Sequence, residues 1–452
     1  MAMRKLSVVT IAATLALLLA LPAVAAPAPR YIIEGSGNAL PANLGAMVGA
    51  AGGTLQRTHP EIGVAQATST DPGFAAKLSA ASGIQSVALD TIVQWTPPPS
   101  VIQGTVVLSH PPAPAPNPQG AFFFGCQWNL SQINAPGAWA QGAFGSTKAR
   151  VAVLDTGVDP NHIDLAGKID TADSVSVITP GTSPCGSADE TTFFDFFFHG
   201  TFVSSQIVSN LIGMASVAPS SSVIMVKVLN CQGSGSFGDV IAGIEYAAQL
   251  KHVDIINMSL GAFIPKAGND ALIDATNRAV QFAHNQGKLV VVASGNSAED
   301  LTFNSPNIEL PAQSPGAIAI NATNIQDTLA SYSNFGTATW VDAPGGDLPN
   351  PLAPLPNCPE IPAAEQSLVL GACTSAVCGD ESSYLIGAGT SFASPIVAGV
   401  SALIDGVDGK PLTFFPDYAK LILALTADDI GPFSTYAFGR VNASRAVASQ
   451  HF

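Results

Sequence analysis

Charge is scarce in this 452-residue chain, and positive charge is scarcest: 32 Asp and Glu stand against 17 Lys and Arg, and charged residues make up 11% of the whole. A formal net charge of -15 repels phosphate backbones, which argues against nucleic acid as a partner. The negative surplus reads as solubility. With 47% apolar residues, the composition also excludes disorder for most of the chain. Past residue 21 there is no apolar run long enough to cross a bilayer. No internal repeat is found. None of the cysteines stands at zinc-ligand spacing, and none has the histidine neighbour that a thiol nucleophile needs.

What is present begins with an export signal. Arg4 and Lys5 precede an apolar run over residues 6–21, and Ala23-Val24-Ala25-Ala26 offers small residues for cleavage after Ala25 or Ala26. Residues 1–26 are therefore expected to be removed on secretion, leaving no membrane attachment. Outside the cytosol, Cys126, Cys185, Cys231, Cys358, Cys373 and Cys378 are expected to pair as disulfides. Cys358, Cys373 and Cys378 crowd one insertion, where a local bridge is expected.

Residues 30–96 read as a small α+β unit: strands near 31–33, 63–67 and 84–90, with helices over 40–51 and 73–81. A proline-rich tract over 97–126 follows and reads as an exposed, cleavable linker. From 127 to 452, apolar strands at 151–154, 222–228, 255–258 and 289–292 alternate with helices at 240–250 and 271–285. That alternation predicts an α/β domain, a mostly parallel twisted sheet with helices on both faces. In such sheets, sites form at the carboxyl ends of strands.

Four polar residues stand at such ends. Asp155 follows the strand over 151–154, and His199 opens His199-Gly200-Thr201 ahead of an apolar helical stretch. Asn296 ends Ala293-Ser294-Gly295-Asn296, and Ser391 lies in Gly389-Thr390-Ser391-Phe392-Ala393-Ser394-Pro395. A serine hydroxyl needs a base to become a nucleophile, and an imidazole titrates near neutrality. A carboxylate fixes the imidazole tautomer, and an amide donor can hold an oxyanion. Each residue alone is weak, because Asp after a strand more often caps a helix or forms a turn. The conjunction of all four at element ends carries the reading.

These motifs resemble the subtilisin-like (subtilase) serine proteases from Trp128 to the C-terminus. Asp155-Thr156-Gly157-Val158-Asp159, Asn161-His162-Ile163-Asp164-Leu165, His199-Gly200-Thr201, residues 213–219, Ser259-Leu260-Gly261, Ala293-Ser294-Gly295-Asn296 and the Ser391 segment carry the resemblance, with Asp342-Ala343-Pro344-Gly345 and Gly439-Arg440-Val441-Asn442-Ala443. The resemblance implies an endopeptidase with Asp155, His199 and Ser391 as catalytic triad and Asn296 as oxyanion donor. It implies that Ser259, Leu260, Gly261, Ala293, Ser294 and Gly295 hold a polypeptide substrate as an added strand. A large apolar residue before the scissile bond is the family's expectation. Residues 30–96 resemble the inhibitory prodomain of an autoprocessed zymogen, a transient partner of an otherwise monomeric enzyme. The chemistry requires no cofactor. Structural calcium is an expectation at Asp164, which resembles a ligand of the family's tight site, although the segment between His199 and Gly213 is short where other ligands would lie.

The chain also departs from the family. Phe202 stands where a histidine is usual, Phe392 where a methionine follows the nucleophile, and Ile396 where a histidine is common. The run Phe193-Phe194-Asp195-Phe196-Phe197-Phe198 reads equally as a core strand or as a wall of the substrate site. The rival reading is a binding protein on an inactive fold, with Phe202 and Phe392 as its marks.

Overall fold

The computed structural model describes residues 28–96, 102–108, 110–302, 304–348, 354–408 and 416–449. The expected signal over 1–26 and the start of the proline-rich tract, 97–101, lie outside them.

The strands expected at 151–154, 222–228, 255–258 and 289–292 are short, mostly apolar runs rich in Val and Ile, and such runs belong in the middle of a covered parallel sheet. They form one. Seven strands lie in the order Val341–Pro344, Ala317–Thr323, Leu289–Ala293, Ile255–Met258, Arg150–Asp155, Ser222–Lys227, Val175–Ser176, and every neighbouring pair is parallel. Alternation along each strand feeds two cores. Val151, Val153, Val223, Met225 and Val291 face the helices His199–Ile207, Thr390–Asp408 and Ala443–Ala448. Ala152, Leu154, Ile224, Val226, Val290 and Val292 face Phe237–Gln249 and Asp270–Asn285. Each buried Val, Leu or Ile side chain contributes about 1.5–3 kcal/mol.

Residues 30–96 fold as an antiparallel sheet in the order Gly53–His59, Val64–Ser69, Arg30–Gly35, Ile84–Leu89, with helices Leu44–Ala50 and Phe74–Ser79. The strand Gly53–His59 was not expected. It is a sheet edge with alternate residues exposed and only one strongly apolar residue, Leu55, so it carries little apolar signal. This unit rests on the helices Phe237–Gln249 and Asp270–Asn285 through buried polar pairs. Arg30, held at 3.0 Å by Asp90 of its own unit, meets Asp239 at 3.2 Å, Arg278 meets Glu34 at 3.6 Å, and His59 meets Glu245. Gly238, in the first turn of its helix, donates its N–H to Asp90 at 3.0 Å.

The proline-rich tract is not a free tether. The strand Ile102–Val107 pairs with Ser383–Gly387, which pairs in turn with Val369–Ala372. Phe122 and Phe123 donate to the carbonyls of Ile212 and Gly213 at 3.1 and 2.7 Å. Cys126 is bridged to Cys358, Cys185 to Cys231, and Cys373 to its near neighbour Cys378. Among the described residues no helix is long and apolar enough to cross a membrane.

Candidate active site

The carboxyl edge of the sheet gathers the four polar residues singled out above. Asp155 is the last residue of its strand, and His199 and Ser391 sit in the first turns of their helices. Gly200 is what lets the first helix dock so closely. A Cβ there would lie 2.1 Å from the Gly157 carbonyl oxygen and 3.0 Å from Asp155 Cβ, so only glycine admits this approach. His199 Nδ1 consequently lies 2.8 Å from Asp155 Oδ1 and 3.0 Å from Oδ2, both side chains fully buried. A carboxylate only accepts, so Nδ1 carries the proton and Nε2 the lone pair. Among the described residues Nε2 forms no hydrogen bond. The hydrogen bond to the Ser391 hydroxyl that the expected triad would use is therefore not formed among the described residues.

Asn296 is oriented by what its oxygen receives. Oδ1 accepts the backbone N–H of Thr390 at 2.9 Å and its hydroxyl at 2.8 Å. The amide nitrogen is then the atom left for the cleft, beside Gly389 and Ser391. Ser391 lies in a helix's first turn, where backbone N–H groups lack intrahelical acceptors and the dipole favours negative charge. Behind it, Ser394 donates to Asn257 at 2.8 Å and Asn257 to Ser259 at 3.0 Å, tying the serine helix to the strand edge.

Of the six residues expected to hold substrate, the structure brings Gly261 and Gly295 to the cleft surface, a cavity of about 440 Å³ shared with Asn296, Thr390 and Ser391. Ser259, Leu260, Ala293 and Ser294 lie buried behind it. The two Ser294 backbone groups are already satisfied, by Ile320 at 3.0 Å and Asn334 at 2.8 Å, so they stiffen the wall.

Calcium does not fit at Asp164. Its Oδ1 accepts the N–H of Ile212 at 2.8 Å, and its Oδ2 accepts Gly213 and Met214 N–H at 3.0 and 2.9 Å and the Tyr384 hydroxyl at 2.6 Å. A cation site needs converging oxygens. Here the short loop before Met214 aims N–H donors at the carboxylate instead, and among the described residues no metal-binding cluster includes Asp164. Asp164→Ala is expected to strand buried donors and destabilise the fold by roughly 3 kcal/mol or more. Thermal unfolding with calcium or with a chelator should register the same loss.

Asp195 has a role that the sequence reading missed. The phenylalanine run around it is neither a strand nor a uniform wall but an irregular turn leading into the His199 helix. Phe198 holds φ at 142°, a strained value for a residue with a side chain. Asp195, fully buried, keeps the turn in place. It accepts the N–H groups of Phe197 and Phe198 at 2.9 and 3.0 Å, Thr201 N–H at 3.0 Å, and the hydroxyls of Thr201 and Thr156 at 2.7 and 3.0 Å. Burial pushes its carboxyl up, against the pull of Lys227 and these donors. The available signal was one acid inside an apolar run, which needs a built set of partners. Asp195→Ala is expected to lower stability by about 3 kcal/mol and to loosen His199; unchanged melting and turnover would remove it from the site's support.

The two aromatic departures compensate each other. Phe202 and Phe392 stack with ring centroids 3.9 Å apart beneath the site, and Phe392 lies 5.9 Å from the His199 ring. Gly371 makes room, since a Cβ there would stand 2.5 Å from the Phe202 ring. The pair is a matched filling, and the Asp155–His199 contact above it is intact.

With this geometry stated, comparison with known proteins is direct. Residues 146–439 match the Subtilase family model. Thermitase of Thermoactinomyces vulgaris is 32% identical over 340 residues, covering 73% of this chain and 99% of that one. Subtilisin of Bacillus pumilus is 33% identical over 321 residues, covering 71% of this chain and 98% of that one. The crystal structure of the epidermin leader peptide processing serine protease from Staphylococcus aureus superposes with TM-score 0.75 over 94% of this chain and 99% of that one, at 23% identity. The chain belongs to the subtilase family and is a subtilisin-like serine peptidase.

Proposed function

We propose that this peptidase is a secreted endopeptidase, made as a precursor whose residues 30–96 fold with the catalytic domain, occupy its cleft and are then cut away by its own active site. Ser391 attacks the peptide carbonyl, His199 takes its proton and returns it to the leaving amine, Asp155 holds the imidazole, and Asn296 with the Ser391 N–H stabilises the oxyanion. An acyl-enzyme forms on Ser391 and water releases it.

The observation that supports this best is the position of the first unit's last strand. Ile92–Gln94 pairs antiparallel with Ser234–Ser236, and Gly261 donates its N–H to the Trp95 carbonyl at 3.0 Å. Trp95 is buried against Phe237 and donates its ring N–H to Gly235 at 2.9 Å. A polypeptide thus adds a strand beside Ser391, which is how a substrate would bind. Because Ile102–Val107 belongs to a sheet of the catalytic domain, the cut is expected within 97–101.

The test is a fluorophosphonate applied to the processed protein, with the adduct located by peptide mass spectrometry. Labelling at Ser391, absent from Ser391→Ala, is the expected result; a folded, processed protein that takes no label would sink the proposal. Asn296→Ala should fold normally and turn over about 10²–10³ more slowly, the magnitude measured for the corresponding loss in subtilisin.

A further inference from the structure

The cleft holds an acid that the reaction does not use. Glu309 belongs to the strand Asn307–Leu310, paired antiparallel with Ala262–Pro265 so that Glu309 stands opposite Phe263. Its side chain reaches the two walls of the cleft. A Cβ on Gly261 would lie 2.2 Å from Glu309 Oε1, and one on Gly295 would lie 2.9 Å from Oε2. The carboxyl group therefore closes the gap between the wall that follows Met258 and the wall that follows Ala293. It lines the same cavity as Asn296 and Ser391. Gly295 holds φ at 101°, and a side chain on either glycine would collide with the carboxyl group itself.

Among the described residues no cation neutralises this group. Glu309 is 3% exposed, and the hydrogen bond it accepts from Asn334 Nδ2 is long at 3.4 Å. Burial with no cationic neighbour pushes its carboxyl up to about 8, opposed only by that bond. A carboxyl raised this far stays largely neutral at neutral pH, and an arriving cation would favour its charged form. At the end of a cavity that opens on the nucleophile, it fits a cation that arrives from outside.

We propose that Glu309 determines specificity in the pocket for the side chain before the scissile bond, and that it selects Lys or Arg there. This rests on the endopeptidase reading above. The cation meets the carboxylate, and the methylene stem packs along Phe263 and Tyr332. The family resemblance led instead to a large apolar residue. An apolar side chain would bury the acid further and give it no partner.

The protein's own processing segment does not use this selection. Residues 92–126 contain no Lys or Arg. A tethered segment reaches the nucleophile at high effective concentration and needs no pocket contact to be cut once. Substrates from solution lack that advantage, so selection by the pocket acts on them.

The experiment measures kcat/KM of the processed enzyme on peptides that differ only in the residue before the cut: Lys, Arg, Leu, Phe, Gln and Glu. Lys and Arg should exceed Leu, Phe and Gln by roughly 30-fold or more, with Glu the poorest. In Glu309→Gln the Lys-to-Leu ratio should collapse by a similar factor, and Glu309→Asp should restore part of it. The ratio is taken within one variant, so a lower yield of active enzyme does not move it. As a check that needs no variant, benzamidine should inhibit the wild-type enzyme competitively against its substrate. Fluorophosphonate labelling of Ser391 together with equal cleavage after Lys and Leu, an unchanged ratio in Glu309→Gln, or no inhibition by benzamidine overturns the assignment alone. Absence of labelling overturns the endopeptidase reading and this assignment with it.

Discussion

Ser391→Ala should lower kcat about 10⁶-fold, the size of the loss when the nucleophile is removed from subtilisin. The change deletes one oxygen in the first turn of the helix Thr390–Asp408, at a residue 3% exposed and already set by its backbone. Loss of the hydroxyl should therefore cost the fold itself little. The variant should also accumulate as an uncut precursor, because the same hydroxyl is needed to sever the segment past Thr96. Two readouts thus come from one substitution. Steady-state turnover of a chromogenic peptide reports the chemistry, and the N-terminal residue of the purified protein reports processing. If Ser391→Ala is processed like the wild type, removal of residues 30–96 is done by another protease and the autoprocessing proposal falls. If it keeps turnover within 100-fold, another residue is the nucleophile.

How much of this was legible in the sequence varies with the kind of constraint. The central strands were legible because burial on both faces leaves an unbroken apolar run, as at 151–154 and 289–292, and the helices between them because one face is apolar. Asp155, His199, Asn296 and Ser391 were legible because each sits in a short motif at an element end. What was missed depends on distant parts of the chain meeting. Gly53–His59 is a strand only because Val64–Ser69 offers it an edge. Asp195 has local donors in Phe197, Phe198 and Thr201, but its tie to the strand end comes only from the Thr156 hydroxyl at 3.0 Å, distant in sequence. Asp164 resembled a calcium ligand in its motif, and only the folded path of residues 212–214 brings the N–H groups that take its oxygens. Glu309 is invisible for the same reason. Its neighbours Gly261 and Gly295 are distant in sequence, and no local pattern marks an acid that closes a pocket.

Asp155→Asn is the sharper test of mechanism, because it alters charge and almost nothing else. In the wild type, Asp155 Oδ1 takes the Thr156 N–H at 2.7 Å and His199 Nδ1 at 2.8 Å, with Oδ2 at 3.0 Å from the same nitrogen. Asparagine has the same shape but only one oxygen. The backbone N–H of Thr156 cannot turn away, so it claims that oxygen and leaves the NH₂ group facing Nδ1. Two donors cannot face each other, so Nδ1 must give up its proton and accept. The imidazole proton then moves to Nε2, the atom that has to receive the serine proton. The ring keeps its place with the wrong tautomer. The expected loss in kcat is about 10⁴-fold, as for the same substitution in other serine proteases. Since Gly200, Asp195 and the Phe202–Phe392 stack hold His199 independently of that charge, the melting temperature should fall little. Turnover and the rate of fluorophosphonate labelling should drop together, because both need the same proton transfer. A variant that keeps more than a tenth of wild-type turnover would mean that the Asp155–His199 pair, for all its burial, is a structural contact and that the base is activated from elsewhere.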